Sequence, residues 1–182
     1  MSARLECLRT TLAEVEAANG RLTTGLLGAV IVLAHGRSPE GLRAWIGIGD
    51  DGSDEFSLRD QDDWSWGDSR HLCPDVSVDG ARRLIEAALP GWCWKAGTCH
   101  VSDDAWVCPD WNDPAHADRL KEQFGGPVHG TPWGHGFDVD RRPPGNVPLA
   151  LIEALLLALI AIEERTPSLR PAIGESACRG EG

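Results

Sequence analysis

The stretch VPLALIEALLLALIAIEER, residues 147–165, decides the fold. From Val147 to Ile162 its only charged residue is Glu153, so a helix over this range is apolar on nearly every side. A helix of that kind lies either in a protein core or in a membrane. The sixteen residues from 147 to 162 are fewer than the roughly 20 that a bilayer requires. We therefore predict a central core helix over residues 147–165, capped by Asn146.

Shorter elements of both kinds surround this helix. Apolar residues at helical spacing or in continuous runs predict helices over residues 2–18, 22–34, 81–89 and 114–124. Strands are predicted at 45–48, at 137–139 and in a hairpin of 92–101 with 105–108 that turns at Asp103-Asp104. The predicted fold class is α+β: an antiparallel sheet of three to five strands, sandwiched by helices. We expect one domain over residues 1–165 and a disordered tail over 166–182.

The overall charge excludes two classes of partner. The 182 residues include 28 acids and 17 Lys or Arg, which gives a net charge of −11. Surfaces that follow phosphates need clustered basic residues, whereas the longest basic runs here are the pairs Arg82-Arg83 and Arg141-Arg142. We expect neither direct nucleic-acid binding nor membrane adhesion. The first residues lack the apolar segment of a secretory signal, so we expect a cytoplasmic protein whose six cysteines are reduced.

An acidic segment follows the strand predicted at residues 45–48. Only Arg59 offsets its seven acids, which are Asp50, Asp51, Asp54, Glu55, Asp60, Asp62 and Asp63. Such a run usually forms a solvated loop, and its spacing does not match a calcium-binding loop. A second interpretation is an acidic binding surface that imitates the charge of a nucleic acid.

Cysteines and histidines concentrate around the predicted hairpin. The candidate metal ligands are Cys93, Cys99, Cys108, His100 and His116. A turn at Asp103-Asp104 places Cys99 opposite Cys108, with Cβ atoms about 4.5–5.5 Å apart, where two thiolates can share a zinc ion. No Cys-x₂-Cys pair is present, so we favour buried reduced thiols and expect no cofactor. The cytoplasmic compartment argues against a disulfide between Cys99 and Cys108.

Two further groups have an ordinary structural interpretation beside a functional one. Trp92 and Trp94 alternate on one strand and Trp106 lies on its partner; without a basic groove we interpret them as core and rim rather than as a base-stacking platform. The loop from His129 to Asp140 contains two histidines and two aspartates that suit proton transfer or metal binding. No motif of a known catalytic class accompanies them.

Three segments of the chain resemble a known family. They are PDVSVDGARRLIEAALPGWCWKAGTCHVS (74–102), GHGFDVDRRPPGN (134–146) and PLALIEALLLALIAIEE (148–164). Together they resemble small phage and prophage proteins related to the phage ABA sandwich domain. The resemblance implies a small antiparallel sheet covered by helices, and it implies no activity and no catalytic residue.

The leading functional hypothesis is a non-enzymatic phage or prophage accessory protein that binds a host or phage protein in the bacterial cytoplasm. The first alternative is an anti-defence inhibitor whose acidic surface competes for a nucleic-acid channel. The second is a metal-dependent enzyme, or a zinc-stabilised module, that uses the cysteine and histidine cluster.

Overall fold

The computed structural model describes residues 2–141 and 143–165. Within these ranges the chain forms helices and two antiparallel sheets of three strands, which confirms the α+β class. The helices are α1 (Ala3–Ala17), α2 (Thr24–Ala34), α3 (Val78–Ala88), α4 (Ala117–Phe124), α5 (Pro132–His135) and α6 (Val147–Arg165). The strands are β1 (Arg43–Ile48), β2 (Asp54–Arg59), β3 (Ser65–Ser69), β4 (Trp92–Thr98), β5 (Asp103–Pro109) and β6 (Phe137–Arg141). The predicted tail, residues 166–182, lies outside the described residues.

Helix α6 is the centre of the fold. Ten of its residues between Leu149 and Leu159 are buried, and the helix packs against α1, α3 and the strands β4–β6. Its start is capped as predicted, because the Leu149 backbone N–H donates to Asn146 Oδ1 over 3.1 Å. Its buried charge, Glu153, pairs with Arg141 of β6. No helix in the described part of the chain is long and apolar enough to cross a membrane, and the core position predicted for α6 is confirmed.

The first two helices also agree with their predictions. Helix α1 packs against α6 and buries Leu5, Leu8, Leu12 and Val15. The apolar run after it is helical, as expected, with residues 24–34 in α2 and most of them buried. The hydroxyls of Ser2 and Thr23 accept hydrogen bonds from the first turns of these two helices.

Sheet A, formed by β1, β2 and β3 in that order, is the main departure from the prediction. One sheet was expected, and residues 50–63 were expected to form a solvated loop. Strand β2 instead crosses this segment, because Phe56 and Leu58 alternate with polar residues and point their fully buried side chains into the core. The acids occupy the two ends of β2 and leave its centre apolar.

Sheet B, formed by β4, β5 and β6, lies against α6. Trp92 belongs to an aromatic cluster beneath it, at ring-centroid distances of 5.8, 6.5 and 6.1 Å from Phe124, Trp133 and Phe137. Residues 129–136, predicted as a loop, contain the short helix α5, which brings Trp133 into this cluster. Buried side chains from both sheets join those of the helices in one hydrophobic core.

Candidate functional site

Strand β1 carries an apolar surface that the core does not cover. Trp45, Ile46 and Ile48 are 47%, 49% and 80% exposed, and we call these three side chains the β1 surface. Ile46 pairs with the buried Phe56, so it lies on the inner face of sheet A, at the margin of the core. Trp45 pairs with Ser57 on the opposite face. Large apolar side chains that remain in water at neighbouring positions are typical of an interaction site.

The backbone of β1 is open along one side. β1 is an edge strand of sheet A and pairs with β2 alone among the described strands. The Gly49 N–H donates to Ser53 O over 2.8 Å, which makes residues 49 and 53 a hydrogen-bonded pair. Hydrogen-bonded pairs alternate with non-bonded pairs along an antiparallel ladder, so the N–H and C=O groups of Ile46 and Ile48 point away from β2. Such an edge can accept another strand.

Four exposed acids stand beside the β1 surface, where β1 turns into β2. They are Asp50, Asp51, Asp54 and Glu55, and we call them the acidic tip. Asp51 Oδ1 accepts hydrogen bonds from the Ser53 hydroxyl at 2.6 Å and from its N–H at 2.9 Å. The bond from the Ser53 hydroxyl, and next that from its N–H, lower the pKa of Asp51, so this carboxylate stays charged at neutral pH. Asp54 pairs directly with Ile48, so charge and apolar surface adjoin.

The other three predicted acids lie at the opposite end of β2. Four strand residues, 56–59, lie between Glu55 and Asp60, which places these two acids about 17 Å apart along the chain. Asp60 is buried and pairs with Arg37, and its Oδ1 also accepts from the N–H groups of Asp62 and Trp64 at 2.9 and 3.0 Å. The hydrogen bond from Arg37 lowers the pKa of Asp60. Asp62 also pairs with Arg37, at 3.2 Å, and Asp63 lies 3.8 Å from Arg59. The acids predicted as one surface therefore form two sites, and the second holds a turn together.

The hairpin turns earlier in the chain than predicted, because β4 ends at Thr98 and β5 begins at Asp103. Thr98 pairs with Asp103, and Cys99 N–H donates to Ser102 O over 2.9 Å, so the turn is residues 99–102. Asp103 is buried, and its Oδ2 accepts hydrogen bonds from the N–H groups of Gly145 and Asn146, which makes it part of the core rather than a turn residue. The expected pairing of Cys99 with Cys108 is wrong. Cys108 lies opposite Cys93, and their Sγ atoms are 3.3 Å apart.

The thiols differ in ionisation because their surroundings differ. Burial raises the pKa of Cys108, and proximity to Cys93 raises it further. Burial likewise raises the pKa of Cys73 to about 11. Cys99 is exposed, and its sulfur accepts from the N–H groups of Val101 and Ser102 at 3.4 Å each. These bonds, led by that from Val101, lower the pKa of Cys99.

The predicted metal ligands are spread over three places. Cys93 and Cys108 lie at one end of the hairpin, and Cys99 and His100 lie in its turn, six residues along β4 from Cys93. His116 precedes α4, where its Nδ1 contacts Asp113 Oδ2 at 2.7 Å. Across residues 2–141 and 143–165, no three His, Cys, Asp or Glu side chains are grouped so that they could hold a metal ion.

The segment from His129 to Asp140 is held in place by contacts within the segment and with sheet B. The rings of His129 and His135 meet edge to face with centroids 5.0 Å apart. His135 Nε2 accepts from the Gly130 N–H over 3.0 Å, and its carbonyl accepts from the Trp106 indole N–H over 2.5 Å. Asp138 and Asp140 lie on β6, opposite Trp106 and Asp104. These contacts hold α5 against β5.

The three hairpin tryptophans agree with their interpretation as core and rim. Trp92 is core, and Trp94 and Trp106 are half-buried; Trp106 pairs with Lys95 and therefore lies on the opposite face from Trp92. The surface tryptophan is Trp45, which sequence reasoning treated only as part of a strand. A signal was present, because Trp45, Ile46 and Ile48 place apolar side chains on both faces of one short strand beside an acidic turn.

Comparisons with protein-family models, with curated proteins and with solved structures found no match to this chain.

Proposed function

We propose that the chain is a non-enzymatic binding protein, a phage or prophage accessory protein of the class that it resembles, and that it binds its partner through the β1 surface. The observation that carries this proposal is the exposure of Trp45, Ile46 and Ile48 on an edge strand. Of the six large apolar side chains that are exposed within residues 2–141 and 143–165, three lie on this one strand.

The energetic case rests on the size of these side chains. A tryptophan buries about 150–250 Å² when it is fully covered, and apolar area contributes roughly 25 cal/mol per Å². Tryptophans at the centre of an interface are among the residues whose truncation costs about 2 kcal/mol or more. Trp45 with its two isoleucines can therefore serve as the anchor of an interface, with the acidic tip as its polar rim.

The partner that fits this surface is an extended protein segment with alternating apolar and basic side chains. The outward N–H and C=O groups of Ile46 and Ile48 are free to form a ladder with an added strand. Apolar side chains of that strand cover the β1 surface. Its basic side chains meet the four carboxylates of the acidic tip, and the net charge of −11 favours their approach.

A capture experiment with matched variants tests the proposal. The tagged protein and its Trp45→Ala/Ile48→Ala variant are each incubated with lysate of the host cell, and retained proteins are quantified by mass spectrometry. The control variant is Val101→Ala/Val128→Ala, which removes two valines that are 43% and 49% exposed away from β1. We expect at least tenfold less of a specific partner on the β1 variant and an unchanged amount on the control. Equal retention on all three proteins would contradict the proposal.

Hydrogen exchange on the purified complex tests the strand-addition geometry. We expect the amides of Ile46 and Ile48 to exchange more slowly in the complex, because their N–H groups gain acceptors. The amides of Trp45 and Gly47 already face β2, and they serve as internal controls. Protection that appears only elsewhere in the chain would place the interface on another surface.

The salt dependence of binding separates this proposal from the acidic-decoy alternative. An acidic decoy binds through its carboxylates, so its affinity for the partner falls steeply as the salt concentration rises, and nucleic acid displaces it from the partner. Binding through the β1 surface keeps most of its strength at high salt, because its anchor is apolar. The split of the seven acids into two sites, one of them engaged with Arg37, favours the apolar interface. The metal-dependent alternative stays a prediction, and metal analysis of the purified protein tests it.

A further inference from the structure

Cys93 and Cys108 face each other across sheet B at a spacing that suits a covalent bond. The Asp110 N–H donates to Gly91 O over 2.9 Å, so residues 91 and 110 form a hydrogen-bonded pair. Hydrogen-bonded and non-bonded pairs alternate along the ladder. Cys93 and Cys108, two positions further on, are therefore a hydrogen-bonded pair as well, with Cα atoms about 5.5 Å apart. Disulfides span Cα separations of about 4.4–6.8 Å. The two Sγ atoms already lie 3.3 Å apart.

The surroundings of the two sulfurs give them different accessibility. Both lie on the face of sheet B that is turned away from the inner side chains Ala105 and Val107. Cys108 is buried, with its Cβ close to the backbone of Gly136. Cys93 is half-buried, so an oxidant in solution reaches this thiol first. One reachable thiol beside one sheltered thiol is the arrangement of an attacking and a resolving cysteine.

We infer that Cys93 and Cys108 form a dithiol site that peroxide converts into an intrachain disulfide. The Cys93 thiolate attacks one oxygen of hydrogen peroxide; the O–O bond breaks, Cys93 becomes a sulfenic acid, and the released hydroxide takes up a proton to form water. The Cys108 sulfur then attacks the Cys93 sulfur. The S–O bond breaks, the S–S bond forms, and the second water leaves with the Cys108 proton. Two thiols lose two electrons and one peroxide becomes two waters.

This site goes beyond the proposed binding function and does not depend on it. The disulfide would join β4 to β5 and lies on sheet B, whereas the β1 surface lies on sheet A. A reduced cytoplasm keeps the pair as thiols, and cytoplasmic disulfides that do form are usually transient redox states. Small thiols reverse the bond by thiol–disulfide exchange.

Peptide mapping after peroxide treatment tests the inference. Trypsin cuts after Lys95 but leaves Cys99 and Cys108 on one peptide, residues 96–119, so the mapping uses the Cys99→Ser variant. Cys99 is exposed, and its removal leaves the paired thiols in place. Under non-reducing conditions we expect peptides 84–95 and 96–119 to appear joined and to separate on reduction. In the Cys99→Ser protein the free thiols should fall from five to three.

Single variants identify the role of each sulfur. Cys93→Ser should abolish the joined peptide and leave Cys108 unmodified at the same peroxide dose. Cys108→Ser should leave Cys93 as a sulfenic acid, which dimedone traps as a stable adduct. The inference is overturned if peroxide oxidises Cys93 in the Cys99→Ser protein without joining the two peptides. It is also overturned if the disulfides that form join separate chains.

Discussion

Sheets A and B share a topology of three antiparallel strands in chain order, yet they differ in how far the core covers them. Sheet B packs on α6, and its inner side chains Ala105 and Val107 are almost fully buried. Sheet A buries Phe56 and Leu58 on its central strand, but its edge strand β1 leaves Trp45, Ile46 and Ile48 in water.

The two sheets differ in how much of their apolar area contributes to folding. Apolar side chains contribute to folding in proportion to the area that they remove from water. The tryptophan of sheet B, Trp92, is 8% exposed and contributes accordingly, whereas Trp45 is 47% exposed and leaves nearly half of its area in water. Sheet B thus belongs to the stable centre of the domain, and sheet A has an open edge, the surface that we propose binds a partner.

The largest expected effect comes from the helix that covers sheet B. Leu156 of α6 is fully buried, so Leu156→Asp places a charge in the core without a partner. We expect a loss of about 4 kcal/mol or more, which is enough to unfold many domains. Circular dichroism and size-exclusion chromatography measure the outcome. Leu157→Asp, at a half-buried position one residue further on, is the matched control and should be milder. A folded Leu156→Asp protein would contradict the central position of α6.

Two tryptophan variants test the comparison directly. Trp92→Ala removes a ring from the aromatic cluster with Phe124, Trp133 and Phe137 and should lower the free energy of unfolding by about 3–5 kcal/mol. Trp45→Ala should change it by less than about 1 kcal/mol, because this side chain is half exposed when folded. Urea unfolding of both variants beside the unaltered protein measures the two changes. Similar losses would mean that sheet A supports the fold as much as sheet B does.

The sequence predicted the parts of the fold that local patterns control. An apolar run with a single charge, Glu153, identified α6, and the cap at Asn146 marked its start. Helical spacing of leucines identified α1. These elements depend on residues close in the chain, so their patterns are visible without knowledge of the tertiary structure.

The errors arose where distant residues decide the outcome. The acids at both ends of β2 suggested a loop, because their number concealed the alternation of Phe56 and Leu58. Asp103-Asp104 looked like a turn, but Asp103 is engaged by the N–H groups of Gly145 and Asn146, more than 40 residues away. Asp103 therefore belongs to β5, and in the observed register Cys93, not Cys99, is the neighbour of Cys108. The exposure of the β1 surface is likewise set by the tertiary packing of the other elements, which local sequence patterns do not show.

The smallest expected effect is a change in the pH dependence of stability. It distinguishes the end of sheet A where Asp60 pairs with Arg37 from the end that carries the acidic tip. The hydrogen bond from Arg37 lowers the pKa of Asp60, so the ionised carboxylate is bound more favourably in the folded than in the unfolded chain. Its contribution to stability is complete above the unfolded pKa of about 3.9 and is lost as the pH falls through the lower folded value. We expect Asp60→Asn to lower the free energy of unfolding at pH 7 and to converge with the unaltered protein in acid.

Urea unfolding at a series of pH values from neutral to acidic measures this convergence. Asp50→Asn is the control, because Asp50 is an exposed acid of the tip and lies away from Arg37. Because the Asp50 side chain is exposed, Asp50→Asn should leave the free energy of unfolding at pH 7 close to that of the unaltered protein. If Asp60→Asn also left it unchanged, the pair with Arg37 would contribute nothing to the fold. The contrast in stability between the Arg37-paired end and the solvent-exposed end of sheet A would then disappear.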